Sequence, residues 1–174
     1  MPLLHIRAWL AAGALGALVL SGCGGGASPK PNNNGPFTVD GAIERSDFYD
    51  ANDDRYYDMF ITEPSRDGTA EIEMDSRDVD SQLFIYIRRS NGDYDLIAQD
   101  DDGAGNYNAR VRFDVQTGEV YRVVATSSRA EEVGYYRLYF SRELGRPAVV
   151  LPRQSGRAAQ GLVLPPMPAK APRS

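Results

Sequence analysis

Seven consecutive residues, Asp100-Asp101-Asp102-Gly103-Ala104-Gly105-Asn106, hold the densest group of hard oxygen donors in the chain. Carboxylates on a glycine-rich backbone suit Ca2+, which takes about six to eight oxygen ligands in a forgiving geometry. The EF-hand spacing is not met. With Asp100 at position 1, position 5 is Ala104 and position 12 is Val111 in place of a bidentate Glu. The same residues also suit an Asx-rich turn, in which Asp side chains accept backbone N–H groups and Asn108 helps close the loop. Asp100, Asp101, Asp102 and Asn106 are therefore the candidate Ca2+ ligands, with a structural turn as the alternative. Asp78 and Asp80 are read as a second structural turn of the same kind.

Other reactive side chains are confined to the ends. The only His is His5, the only Trp is Trp9, the only Cys is Cys23, and the only lysines are Lys30 and Lys170. Between Asp40 and Glu143 there is no nucleophile–His pair, no His or Cys for zinc, no lysine for a Schiff base and no disulfide. Catalysis there would fall to Asp, Glu or Tyr alone, for example a glycosidase carboxylate pair. An acidic exported domain carries such carboxylates as solvated surface, so the expectation is a non-catalytic chain. Ten tyrosines, all between Tyr49 and Tyr139, suit half-buried strands and also a glycan- or protein-binding face.

The charge is unevenly spread. All 24 acidic residues lie between Asp40 and Glu143, against 12 arginines, a net of −12 for that segment. Nucleic acid is excluded as a partner, because phosphate contact needs a basic face. Arg146, Arg153, Arg157, Lys170 and Arg173 make the tail weakly basic.

These residues need a scaffold, and the chain suggests four segments. Residues 1–22 read as an export signal: Arg7, then an apolar run from Ala8 to Leu20 that is short for a bilayer span. The run ends in Leu20-Ser21-Gly22-Cys23, which resembles the bacterial lipobox. That resemblance implies cleavage before Cys23 and diacylglyceryl attachment to its thiol. The alternatives are an ordinary signal peptide with a chance cysteine and an uncleaved anchor. With about 0.8 kcal/mol per buried methylene, two or three acyl chains anchor a protein stably to a membrane. Gly24 stands where an Asp favours inner-membrane retention, which implies the outer membrane of a Gram-negative host, on its periplasmic or surface face. Residues 23–36 are Gly, Asn, Ser and Pro-rich and read as a flexible tether from the lipidated Cys23.

Residues 37–143 read as about eight short strands. They cover Phe37 to Ile43, Tyr56 to Thr62, Ala70 to Asp75, Gln82 to Arg88, Tyr94 to Gln99, Val111 to Val115, Tyr121 to Thr126 and Tyr136 to Phe140. Period-two alternation is clear in Ala70, Ile72 and Met74 against Glu71, Glu73 and Asp75. Leu83, Ile85 and Ile87 oppose Phe84 and Tyr86, which predicts a central strand covered on both sides. Asn91-Gly92 predicts a tight type I′ hairpin. Glu44 to Arg55 reads as a polar loop, and the parity of Tyr57 to Ile61 is not fixed by pattern. Short alternating strands without a helical run predict an all-β fold, an antiparallel β-sandwich of jelly-roll type. Residues 144–174 are Pro, Ala, Gly and Arg-rich and are expected to be disordered. Within them, Val149-Val150-Leu151 and Leu162-Val163-Leu164 are apolar patches stopped by proline; a partner-binding tail is the sharper reading of these.

From Gly41 to Phe140 the order of motifs resembles the bacterial pre-peptidase C-terminal domain, a β-sandwich appended to secreted proteases and other exported enzymes. The likeness rests on five pieces. They are Tyr57-Asp58-Met59-Phe60, Asp78-Val79-Asp80 before Leu83-Phe84-Ile85, and Ser90-Asn91-Gly92-Asp93 before Leu96-Ile97-Ala98. The others are Asp101-Asp102-Gly103 with Asn108 and Val111, and Thr117-Gly118 with Tyr121 followed by Gly134-Tyr135-Tyr136-Arg137-Leu138. Calcium and substrate binding by family members in collagenases implies the same candidate role for the aspartate loop. No peptidase precedes the domain in this sequence, so the resemblance implies either a binding module of its own or an accessory acting in trans on an exported hydrolase. The expected partners are the membrane, through Cys23, and an envelope protein or extracellular polymer.

Overall fold

The structure is a computed structural model that describes residues 36–152 and 164–165. Ten strands and no helix are present among them: β1 (Phe37–Ile43), β2 (Phe48–Asp50), β3 (Arg55–Thr62), β4 (Gly68–Asp75) and β5 (Ser81–Arg88), then β6 (Tyr94–Asp100), β7 (Ala109–Val115), β8 (Tyr121–Ser127), β9 (Gly134–Phe140) and β10 (Ala148–Val150). They form two antiparallel sheets. One has four strands in the order β1-β9-β4-β7; the other has β10-β3-β8-β5-β6, with β2 also on β3. The chain changes sheet at every connection except β2–β3 and β5–β6. That alternation is the jelly-roll wiring, in which a strand pairs mostly with strands distant in sequence.

The core lies between the sheets, filled by the inward parity of each strand. Ala70, Ile72 and Met74 of β4, Val111, Phe113 and Val115 of β7, and Tyr136, Leu138 and Phe140 of β9 face Phe60, Leu83, Ile85, Val123 and Ala125. Phe60 and Phe140 meet edge-on across the gap, with ring centroids 6.3 Å apart. The alternation read from the sequence places these residues because a strand turns successive side chains to opposite faces.

The two outer faces differ in kind. On the four-stranded sheet, Glu71 sits opposite Arg112 and Glu73 opposite Arg110 across β4–β7, and Asp40 opposite Arg137 across β1–β9; all three pairs are bridged. This is a solvated charge ladder whose exposed pairs each contribute at most about 1 kcal/mol. On the six-stranded sheet, the outer face is apolar. Phe48, Tyr57, Met59, Phe84, Tyr86 and Val124 form a second buried cluster there, closed over by Leu164. The parity of β3 is thereby fixed: Phe60 points inward, Tyr57 and Met59 outward.

Three expectations are corrected. First, the segment Glu44 to Arg55 contains a strand, β2, and the tail contains another, β10. The two short strands share the edge of β3 that β8 leaves open, β2 on Arg55–Tyr57 and β10 on Met59–Ile61. Their physical role is to satisfy edge N–H and C=O groups that would otherwise offer a template for another chain. Second, the boundary at residue 143 fails. Leu144 is fully buried, Gly145 donates its N–H to the Glu63 carbonyl at 2.7 Å, and Leu164 is 3% exposed. Residues 153–163 and 166–174 of the expected disordered tail lie outside the described residues, as do the signal segment and tether up to residue 35. Third, Asn91-Gly92 does not make a two-residue I′ turn. Arg89 N–H bonds the Asp93 carbonyl at 2.7 Å and Gly92 N–H bonds the Arg89 carbonyl at 2.9 Å, enclosing Ser90, Asn91 and Gly92. Only Gly92 takes a positive φ, +92°. This is a type I turn closed by a left-handed glycine. Asn91 holds it through its side chain, which accepts from Asp93 N–H at 3.0 Å and donates to the Asp93 carboxylate at 2.7 Å.

Candidate functional site

The covered outer face of the six-stranded sheet brings together charge, apolar surface and a foreign stretch of backbone. The β2–β3 hairpin sets Asp50 directly opposite Arg55. Arg55 has no exposed surface and is held from several sides. Nη1 donates to Gln82 Oε1 at 2.7 Å; Nη2 donates to Asp53 Oδ2 at 3.1 Å and lies 3.6 Å from Asp50 Oδ2. Its guanidinium carbon lies 5.7 Å from the centre of the Phe84 ring. Burial pulls the pKa of Arg55 down from its ordinary value, and the charges of Asp53 and Asp50 oppose that pull. A buried cation of this kind is tolerable because each neighbour repays part of the lost hydration.

On this base lies the tail. Leu164 N–H donates to Asp50 Oδ2 at 3.2 Å, and the Pro165 carbonyl accepts from Arg55 Nη2 at 2.6 Å. The Leu164 side chain packs into the cluster of Phe48, Tyr57, Met59, Phe84, Tyr86 and Val124, where Phe48 and Tyr57 stack with centroids 5.4 Å apart. One carboxylate takes a backbone N–H, one guanidinium takes a backbone carbonyl, and an apolar pocket takes the side chain of the first residue. That combination grips a short piece of chain by its backbone and selects it by one apolar side chain. Two buried polar atoms beneath it, Arg55 Nε and Tyr86 Oη, have no hydrogen-bond partner among the described residues. Burial pushes the Tyr86 phenol up to about 12, so it stays a donor at neutral pH.

The aspartate loop is organised around backbone N–H groups held by Asp100. Asp100 Oδ2 accepts Gly103 N–H at 2.6 Å and Arg110 N–H at 2.8 Å. Asn106 and Tyr107 both take left-handed φ, 55° and 66°, between Gly105 and Asn108, and Asn108 N–H returns to the Gly105 carbonyl at 3.0 Å. Two successive positive φ values under that bond are the signature of a type I′ turn; it falls here and not at Asn91-Gly92. Asn108 Oδ1 accepts Ser76 N–H at 3.0 Å, which ties the loop to the β4–β5 connection. Asp101 and Asp102 directly follow the doubly engaged Asp100, the last residue of β6. Among the described residues no group of three or more His, Cys, Asp or Glu side chains is arranged to hold a metal. The Asp100 contacts have the Asx-type form, in which a carboxylate accepts backbone N–H groups.

Asp78 and Asp80 belong to the same end of the sandwich. Asp78 accepts Tyr135 N–H at 3.1 Å, and the fully buried Asp80 accepts Arg129 Nε–H at 2.9 Å. Glu132 receives Asp80 N–H at 2.7 Å and also the Ser127 hydroxyl. Gly134 is needed beside them: a Cβ there would lie 2.4 Å from Asp78 Cβ. These carboxylates staple loops. The lipobox residues Leu20, Ser21 and Gly22, and Cys23 itself, lie outside the described residues.

The sequence pattern did not single out Asp50, Arg55 or Gln82, and it flagged Leu164 only as part of an apolar patch in the tail. Asp50 and Arg55 fell in an apparent polar loop, and Leu164 in an apparently unstructured tail. The available signal was the apolar side chains on both parities of β3, which require cover on both faces of the sheet, together with an apolar patch before proline in the tail. No protein-family model matches the chain, and no curated protein matches it.

Proposed function

We propose that this chain is a non-catalytic, lipid-anchored β-sandwich module of the cell envelope that binds other proteins. The observation that carries the binding part is the grip of Asp50 and Arg55 on the backbone of Leu164 and Pro165 over an apolar cluster. A sheet face that holds a short piece of chain suits a protein partner. The absence of His, Cys and Lys between Asp40 and Glu143 supports a non-catalytic role, and the Leu20-Ser21-Gly22-Cys23 sequence supports attachment through Cys23. The resemblance to the pre-peptidase C-terminal domain fits an exported accessory of this kind.

Two measurements test it. Intact mass of the detergent-extracted protein should show a chain beginning at Cys23 and carrying acyl groups; an unprocessed chain without them would remove the anchor. A photoreactive group at Tyr94 or Leu96, β6 residues on the same face as Tyr86, should cross-link a defined envelope protein in intact cells. An anchored protein that yields no cross-linked species from either position would remove the binding role.

A further inference from the structure

Resting on the protein-binding reading, we propose that the Asp50–Arg55 groove docks a short segment of the form apolar residue–Pro from a partner protein. Leu164–Pro165 is then its resident occupant in cis, displaceable by such a segment. Every contact the tail makes is of a type that a separate chain could make. The groove reads one backbone N–H (to Asp50), one backbone carbonyl (to Arg55) and one apolar side chain. Proline after the apolar residue fits, since Arg55 bonds the proline carbonyl and no contact there needs the N–H that proline lacks.

Three further observations point to a partner beyond the tail itself. Among the described residues Arg55 Nε and Tyr86 Oη are buried without an acceptor, so a segment bringing one more acceptor gains a bond that Leu164 and Pro165 do not make. The surface continues past the groove: Val150 packs on the same cluster, and Leu96, paired with Tyr86 on the same face, is 40% exposed. The opposite sheet carries a charge ladder and offers no comparable apolar face. Leu164 is joined to Pro152 through residues 153–163, so the tail competes for the groove as part of the same chain. A partner segment must outcompete that, which makes the tail a threshold for binding.

The test uses the mature chain with Cys23→Ser for solubility and a labelled peptide of residues 160–168, Gln-Gly-Leu-Val-Leu-Pro-Pro-Met-Pro. The chain carrying Leu164→Ala should bind it saturably at one to one, at least about tenfold more tightly than the chain with its own Leu164, whose tail competes. A peptide with Ala in place of the leucine before the first proline should lose at least about tenfold in affinity. No saturable binding to either chain, or equal binding of the Ala peptide, would overturn the proposal. Should Leu164→Ala fail to fold, amide shifts of Asp50, Arg55 and Gln82 in the unaltered chain under excess peptide give the same answer, and their constancy would refute it. A dimer of the unaltered chain that the peptide dissociates would assign the groove to a second copy and overturn the assignment to another protein. Failure here leaves the anchored module testable through Cys23 and the cross-links, which do not depend on this peptide.

Discussion

Replacing Asp58 by Asn should stabilise the protein at neutral pH and flatten its pH profile. Asp58 lies on β3 and reaches across the sandwich to Tyr136 of β9, whose hydroxyl donates to Asp58 Oδ2 at 2.5 Å. Burial pushes the Asp58 carboxyl up to about 6 from 3.8; the Tyr136 bond pulls it down, and the charges of Asp47 and Glu44 add to the rise. Burial likewise raises Tyr136, with Asp58 contributing, so the phenol remains the donor. Because the folded-state value exceeds the unfolded one, the native state holds this proton more tightly. The stabilisation linked to it is complete below about pH 4 and is lost as pH rises through about 6. A gap of about two units corresponds to about 3 kcal/mol at full strength, and solvent access to this partly exposed carboxylate reduces it to about 1–2 kcal/mol. Asn keeps an oxygen acceptor for Tyr136 and cannot ionise. Urea denaturation followed by circular dichroism should therefore show Asp58→Asn more stable by about 1–2 kcal/mol at pH 7.5 and within about 0.5 kcal/mol of the parent at pH 4. Tyr136→Phe should do the reverse, weakening the protein more at pH 7.5 than at pH 4. An Asp58→Asn protein that keeps the parental slope between pH 4 and 6.5 would show that this carboxyl is not the titrating group.

Other positions give simpler readouts. Gly134→Ala puts a Cβ 2.4 Å from Asp78 Cβ and should lower stability by about 2–3 kcal/mol in urea melts. Asp100→Ala strands the N–H groups of Gly103 and Arg110 and should destabilise by about 1–2 kcal/mol. Millimolar Ca2+ should leave the Tm unchanged in both the parent and the Asp100→Ala protein; a rise seen only in the parent would restore the metal reading of Asp100, Asp101, Asp102 and Asn106. Tyr107→Gly relieves a left-handed φ of 66° on a bulky residue and should raise stability by about 1 kcal/mol in the same melts.

What the sequence made legible was set by parity. Eight strands were readable because Ala70-Ile72-Met74 and Val111-Phe113-Val115 face one core, and alternation reports that directly. Phe84 and Tyr86 announced cover on the far face of β5, but pattern alone could not say what supplies it. The cover comes from Leu164, about eighty residues away, and nothing local to either segment encodes the pairing. The short strands β2 and β10 escaped for a related reason. Three residues on a sheet edge carry too few alternations to stand out from a loop. Asn91-Gly92 was correctly a turn and wrongly a type I′ one, because the Asn91 side chain bonds Asp93 and shifts the left-handed position onto Gly92 alone. The aspartate loop was ambiguous for a chemical reason: carboxylates that cap N–H groups and carboxylates that ligate calcium have the same composition.

The strength of the tail contact decides whether it is a fixed strap or an exchangeable one. Burying the Leu164 side chain is worth about 2 kcal/mol, and each of its two charge-assisted hydrogen bonds about 1.5 kcal/mol. Against this stand the ordering of two residues, about 1.5 kcal/mol each, and the closure of an eleven-residue link between Pro152 and Leu164, about 2 kcal/mol. The terms nearly cancel. A contact so balanced covers Phe48, Tyr57, Met59 and Phe84 on one face of the sheet, while the core between the sheets lies on the other. Asp50 and Arg55 are set opposite each other by the β2–β3 pairing, to which the tail contributes no strand. Such a balance is what the proposed docking requires of a tail that competes for the groove from within the same chain.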